Sequence, residues 1–294
     1  MAKESKNRGI DVSVYAGEHK GNQDGIHISS DNTLLNEKYD LIIVHGTDVS
    51  WQANVLKYAN KLLSPVLFML IRPTYSELQL EALNNCDMVS YSTKEDIECI
   101  TKANLLRKAV SVRHSISEDY GVAGFSKKFS IEKPFFISCG GYWYNKAMAE
   151  LASLYEQYGP DDKILVLTGY DNRSNLMPKK TKKVRPFLIE DRKDVLSGIS
   201  EAEALIMHST TEGFGLVLLE AMLNKTPWIA RRIAGAAMLQ NFGLTYNTDI
   251  ELLSHLHDYK KMNLDIGYNY VKSTHMIGNT VDDLVSAATR TLTI

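Results

Sequence analysis

The chain has 294 residues, 44% of them hydrophobic and 23% charged, with a formal net charge of −2. Length allows one or two domains, and the composition is that of a globular protein rather than a disordered one. So balanced a charge supplies no global field for nucleic acid or an anionic membrane, and neither is an expected partner.

The opening MAKESKNRG has no apolar core, so no signal peptide is expected. Short β-branched runs then alternate with longer helical ones. Candidate strands are Val12–Ala16, Leu41–His45, Val66–Ile71, Met88–Tyr91 and Val110–Arg113. Between them the periodicity predicts helices over Trp51–Leu63, Tyr75–Asn84 and Lys94–Leu106. Pro65–Ile71, the longest apolar stretch, is far too short to span a bilayer, so no transmembrane segment is expected. Cys86, Cys99 and Cys139 are odd in number and form no CxxC pattern. That points to a reducing, cytoplasmic compartment and away from a disulfide framework or zinc site.

The stretch 114–134 breaks the rhythm with Gly, Ser, Lys and Pro and reads as a linker. Strand Phe135–Cys139, helix Asn145–Tyr158 and strands Ile164–Thr168 and Val184–Leu188 follow. Helix Asp191–Ile199, strand Ala204–His208, helix Phe214–Asn224 and strand Thr226–Ala230 complete the alternation, with helices to the end. Such alternation means parallel sheets covered on both faces. Two blocks around a linker predict an α/β protein of two Rossmann-like domains facing across a cleft. The expected division is 1–125 and 126–277, with a final helix in 278–294 packing back on the first domain.

Ligands of parallel α/β sheets bind beyond the carboxyl ends of strands. Marked residues stand at four such ends: Leu70–Ile71–Arg72, Ser138–Cys139–Gly140–Gly141, Thr168–Gly169 and Met207–His208–Ser209–Thr210. Next comes Glu212–Gly213–Phe214–Gly215, a loop whose glycines let backbone amides approach a ligand and whose following helix N-terminus favours anions. Eight positions after Glu212, Glu220 interrupts the apolar run Leu216–Leu223. A carboxylate there needs partners, either a core Arg or Lys or the hydroxyls of a sugar or ribose.

Glu212 and Glu220 form an E-x7-E spacing, and EGFGLVLLEAMLNKTPWIARRIAG resembles the donor-site signature of retaining glycosyltransferases of family 4. KYDLIIVHG, NCDMVSYSTKEDIECI and FFISCGGYWYNKAMAEL are similar to further strands and loops of that family. The resemblance implies the GT-B fold and a hexosyltransferase that uses a nucleoside-diphosphate sugar, with no metal and no other cofactor. It implies that Glu212 contacts donor-sugar hydroxyls and that Lys146 neutralises the diphosphate. The backbone from Gly213 through Phe214, Gly215 and Leu216 to Val217 would hold sugar and phosphate, beside Gly140 and Gly141. Glu220 would bind the ribose.

Two departures stand out. The family usually has an arginine where this chain has Gly141; Arg72, or Arg231 and Arg232, could supply the charge. The family's opening strand and glycine-rich loop are not found before Ile10. His45 suits a structural or a catalytic role, and Tyr142, Trp143 and Tyr144 suit sugar stacking or core packing. Lys179–Lys183 reads as a solvated loop or an acceptor contact. The functional expectation is retaining transfer of a hexose to a glycan or glycoconjugate acceptor, leaning to GDP-mannose over UDP-sugars as donor. A nucleotide-sugar 2-epimerase and a non-catalytic binding module are the rivals, and a homo-oligomer is compatible with the sequence.

Overall fold

The computed structural model describes residues 1–15, 21–23, 26–29, 38–45, 56, 64–70, 76–170 and 175–292. The chain divides into two compact units, Met1–Ser115 with Ile277–Ile294, and Ile116–Met276.

In the first unit, helix α1 (Ala2–Asn7) precedes β1 (Val14–Tyr15), β2 (Gly21–Gln23) and β3 (Ile26–Ser29). These strands form a small sheet in the order β1-β3-β2, with β1 parallel and β2 antiparallel to β3. A second sheet holds β4 (Ile42–Val44), β5 (Val66–Phe68), β6 (Met88–Tyr91) and β7 (Ala109–Ser111), all parallel and in chain order. Helices α2 (Glu77–Asn84) and α3 (Lys94–Lys102) form its crossovers. The start of α3 is fixed by a capping box: Thr93 Oγ1 accepts from the Asp96 amide, and Asp96 Oδ2 accepts from the Thr93 amide. Side chains alternate across the sheet. Val66, Phe68 and Leu70 pack with Leu83 and Ile100 on one face, while Leu67, Met69, Met88, Val110 and Val112 pack on the other with Leu284 and Ala287 of the last helix. The helix expected over Trp51–Leu63 lies outside the described residues except for Leu56.

The second unit contains α4 (Phe125–Lys128), β8 (Phe135–Cys139), α5 (Met148–Tyr158), β9 (Ile164–Gly169), β10 (Val184–Leu188) and α6 (Arg192–Glu201). There follow β11 (Ala204–Met207), α7 (Leu216–Leu223), β12 (Trp228–Arg231), α8 (Ala234–Met238), β13 (Leu244–Tyr246), α9 (Asp249–Asp258) and α10 (Leu264–Thr274), after which α11 (Ile277–Leu292) belongs to the first unit. Its six strands are all parallel, in the order β10-β9-β8-β11-β12-β13. Chain order therefore reverses between β8 and β11. Period-two alternation sends Phe136, Leu165, Leu167 and Ile206 towards α5 and α9, and Ile137, Val166, Leu205 and Met207 towards α6, α7 and α10.

Three sequence expectations need correction. The boundary falls at Ser115, not 125, because the supposed linker packs into the second unit. The Gly121 amide donates to Asn224 Oδ1 at 2.7 Å, and Phe125 is 1% exposed in the core. The helix expected from Asn145 starts at Met148, since Tyr144–Lys146 form a separate 3-10 turn closed by Ala147 in the left-handed region (φ +50°). And β2, β3 and β13 were not foreseen; the C-terminal part is not helical throughout.

Candidate functional site

The reversal between β8 and β11 makes the carboxyl end of the sheet there a topological switch point, where folds of this kind place ligands. The loops after these two strands flank it. They are tied together: the Thr210 amide donates to the Asn145 carbonyl at 2.8 Å, and Asn145 Nδ2 donates to the Thr211 carbonyl at 3.2 Å.

On the β8 side, Gly140 takes a positive φ of +151°, and the aliphatic stem of Lys146 lies across it. The Lys146 ammonium reaches 2.5 Å from Glu212 Oε1, and Ser209 Oγ donates to the same oxygen at 2.6 Å. Both charged side chains are mostly buried. Thus Lys146 and Glu212, 66 positions apart, meet across the switch point. Gly141 is packed under the Trp143 indole; a Cβ there would lie 2.9 Å from the ring. The arginine that the family resemblance expects at this place has no room while Trp143 holds it.

On the β11 side, Gly215 at φ +89° turns the chain into α7, whose amides at Leu216 and Val217 head the helix. Phe214 anchors the loop in the core, and Gly235 lets the next loop approach it: a Cβ on Gly235 would lie 2.1 Å from the Phe214 carbonyl oxygen. Glu220, in the second turn of α7, is buried, and its Oε1 accepts from Arg192 Nη2 at 2.7 Å. Burial pushes its carboxyl above the usual range, while the Arg192 charge pulls it back. Burial pushes the Cys139 thiol up to about 12, with the nearby Glu220 carboxylate acting in the same direction.

Deeper, His208 is 3% exposed, with Nδ1 2.6 Å from the Tyr246 hydroxyl and Nε2 2.9 Å from Arg231 Nη2. A guanidinium can only donate, so Nε2 accepts and Nδ1 carries the hydrogen in the neutral ring. Burial, aided by the Arg231 charge, lowers the His208 pKa to about 4.

Of the residues singled out in the sequence, Gly140, Lys146, Glu212, Gly213–Val217 and Glu220 share the second unit. Arg72 lies outside the described residues. His45 is exposed at the end of β4. Tyr142 is a core residue, its hydroxyl 3.0 Å from the Leu167 carbonyl and 2.9 Å from that of Phe187. Trp143 meets the edge of Tyr170 with centroids 5.5 Å apart, and Tyr144 is 81% exposed. Lys183 pairs with Asp161 at 2.8 Å. Arg192 was missed: nothing in its local sequence distinguishes it from any other basic residue in the first turn of a helix. Among the described residues, no group of three or more His, Cys, Asp and Glu side chains is placed to hold a metal ion, and no helix is long and apolar enough to cross a membrane.

With that geometry in place, comparison with known proteins identifies the segment that carries it. Residues 126–240 match the family model of glycosyl transferases group 1. The matched segment contains Lys146, Arg192, Glu212 and Glu220. No curated protein matches the sequence. Among solved structures, the sucrose-phosphate synthase of Thermosynechococcus elongatus is similar with a TM-score of 0.71 at 15% identity, covering 87% of this chain and 74% of that one. HepE of Anabaena in complex with UDP and glucose gives 0.72 at 14% identity, covering 86% and 78%. The trehalose 6-phosphate synthase of Burkholderia multivorans gives 0.68 at 13% identity, covering 86% and 70%. The fold is that of GT-B glycosyltransferases.

Proposed function

We propose that the chain is a retaining glycosyltransferase of family 4 that moves a hexose from a nucleoside-diphosphate sugar to an acceptor hydroxyl. The observation that carries this reading is the meeting of Lys146 and Glu212 at the switch point, within the matched glycosyltransferase segment.

Each of these groups neutralises the other. A donor would exchange that contact for its own. Its diphosphate would take the Lys146 ammonium and the amides heading α7, and its sugar hydroxyls would take Glu212. Negative charge grows on the diphosphate as the glycosidic bond breaks, so a cation held there stabilises the transition state more than the ground state. Glu212, its Oε1 also held by the Ser209 hydroxyl, acts in this reading by positioning and not as a nucleophile. The leaving phosphate would then accept the acceptor's proton on the same face of the sugar. Glu220 would accept from the ribose hydroxyls. With Lys146 and the helix N-terminus carrying the phosphate charge, transfer is proposed to be metal-independent. HepE bound to UDP favours a UDP-sugar over the GDP-mannose to which the sequence reading leaned.

Incubation of the chain with UDP-glucose and GDP-mannose, followed by NMR of the released or transferred sugar, tests this. An α-configured product from an α-linked donor is expected, unaffected by EDTA. An inverted product, a 2-epimerised sugar, or activity that EDTA abolishes and magnesium restores would each overturn the corresponding part.

A further inference from the structure

Glu220 sits in α7 among Leu218, Leu219, Ala221 and Met222, all buried. A carboxylate in such surroundings takes up a proton unless a cation holds it ionised. Arg192 is in place to do so, its Nη2 2.7 Å from Glu220 Oε1. As first residue of α6, it follows directly on the Asp191 cap, whose Oδ1 accepts from the Lys193 amide at 2.9 Å. The backbone under Arg192 is thereby fixed, while 53% of its side chain is exposed. One oxygen of Glu220 receives the guanidinium, and a carboxylate can accept several further donors.

We propose that Arg192 is a positioning residue for donor binding, pairing with Glu220 so that this carboxylate stays ionised and turned to accept the ribose hydroxyls of a nucleoside-diphosphate sugar. The proposal rests on the assignment of Glu220 to the ribose made above. The other groups facing Glu220 are Asp119 and Cys139. Asp119, 3.9 Å from Arg192 Nε, works against ionisation of Glu220 by its like charge. The Cys139 thiol stays neutral. Arg192 is the group that opposes the burial of Glu220.

Calorimetric titration of the whole chain with UDP-glucose and GDP-mannose, at about pH 5.5 and about pH 8, reads this out. Nucleotide-sugars are chosen because their diphosphate has no terminal group titrating in that range. On passing to the lower pH, Arg192→Met should lose roughly tenfold more affinity than wild type, as a carboxyl relieved of its cation protonates more readily. Arg192→Lys should restore the wild-type profile. Adding Glu220→Gln to Arg192→Met should flatten it at uniformly weak affinity. Arg192→Gln, uncharged but polar, gives the same readout if Arg192→Met does not fold. Arg192→Met or Arg192→Gln curves parallel to wild type would overturn the proposal and leave the ribose assignment standing. A wild type that binds neither nucleotide-sugar would overturn the donor reading itself, and this proposal with it.

Discussion

At the scale of single residues, the second unit holds two buried titratable groups that respond to acid in opposite directions. Glu220 has its folded pKa raised by burial. Ionised, it penalises the folded state above that pKa, and the penalty disappears as pH falls below the unfolded value. Wild type should therefore gain stability relative to Glu220→Gln as pH falls through this range, as chemical denaturation in buffers of stepped pH would record. At neutral pH Glu220→Gln should be no less stable than wild type yet bind donor more weakly by about 1–3 kcal/mol, having lost charge-assisted hydrogen bonds. A large loss of stability with unchanged affinity would make Glu220–Arg192 a purely structural pair. His208 behaves the other way. Its pKa of about 4 keeps it neutral where an unfolded histidine charges, so stability should begin to fall below about pH 6.5 and stop falling near pH 4. The full span is worth roughly 3 kcal/mol. His208→Gln should lack that component of the pH profile. Lys146→Met should weaken a nucleotide-sugar by about 1.5–3 kcal/mol and the free nucleoside little, because only the former brings phosphates to the ammonium. Equal losses for both ligands would remove Lys146 from the phosphates.

Among the elements, the β8 and β11 loops matter because their backbones are locked from below. Gly235 is the test. A methyl there would meet the Phe214 carbonyl, which belongs to backbone and cannot swing aside as a side chain would. Gly235→Ala should cost about 1–3 kcal/mol of stability. It should also displace Glu212 enough to weaken donor binding, measurable by melting and titration on the same sample. Much of this architecture was legible in the sequence. The strands Phe135–Cys139 and Val184–Leu188 read with the right ends, the former because a continuous buried apolar run bounded by turn residues leaves few alternatives. The strands missed were Gly21–Gln23, Ile26–Ser29 and Leu244–Tyr246: short, and in the first case polar. They exist through pairing with adjacent strands, β2 with β3, β3 with β1 and β13 with β12, which local periodicity does not record. The carboxylates of the site were legible for the same reason that Arg192 was not. Glu212 and Glu220 stand out against glycines and leucines, whereas an arginine after a helix cap looks like a solvated one until the partner is seen. Lys146 was placed at the right strand end but in the wrong element, because a left-handed Ala147 is invisible in composition.

On the scale of the whole molecule, the contiguous Ile116–Met276 carries its own two-faced core together with Lys146, Arg192, Glu212 and Glu220. That segment, expressed alone, should fold cooperatively and retain measurable nucleotide affinity in a titration; an unfolded or inert segment would show that the assigned residues do not suffice. The first unit is differently built. Its sheet face of Leu67, Met69, Met88, Val110 and Val112 is covered by Leu284 and Ala287. The helix that brings them is clamped by Arg113, which donates to both oxygens of Asp283 at 2.6 and 2.9 Å, and by Arg8 on Asp282 at 2.5 Å. The two chain crossings leave the second unit side by side, the Ile116 amide donating to the His275 carbonyl at 3.0 Å. This discontinuity has a consequence for birth on the ribosome. Synthesis runs from the N-terminus, and domains generally fold as their chain emerges. Here the unit begun first is finished last: its apolar face stays uncovered until residues 277–292 leave the exit tunnel, by which time the segment made after it has had its whole sequence free to fold. A nascent chain stalled before Ile277 would carry a finished second unit and an N-terminal half still open to chaperones.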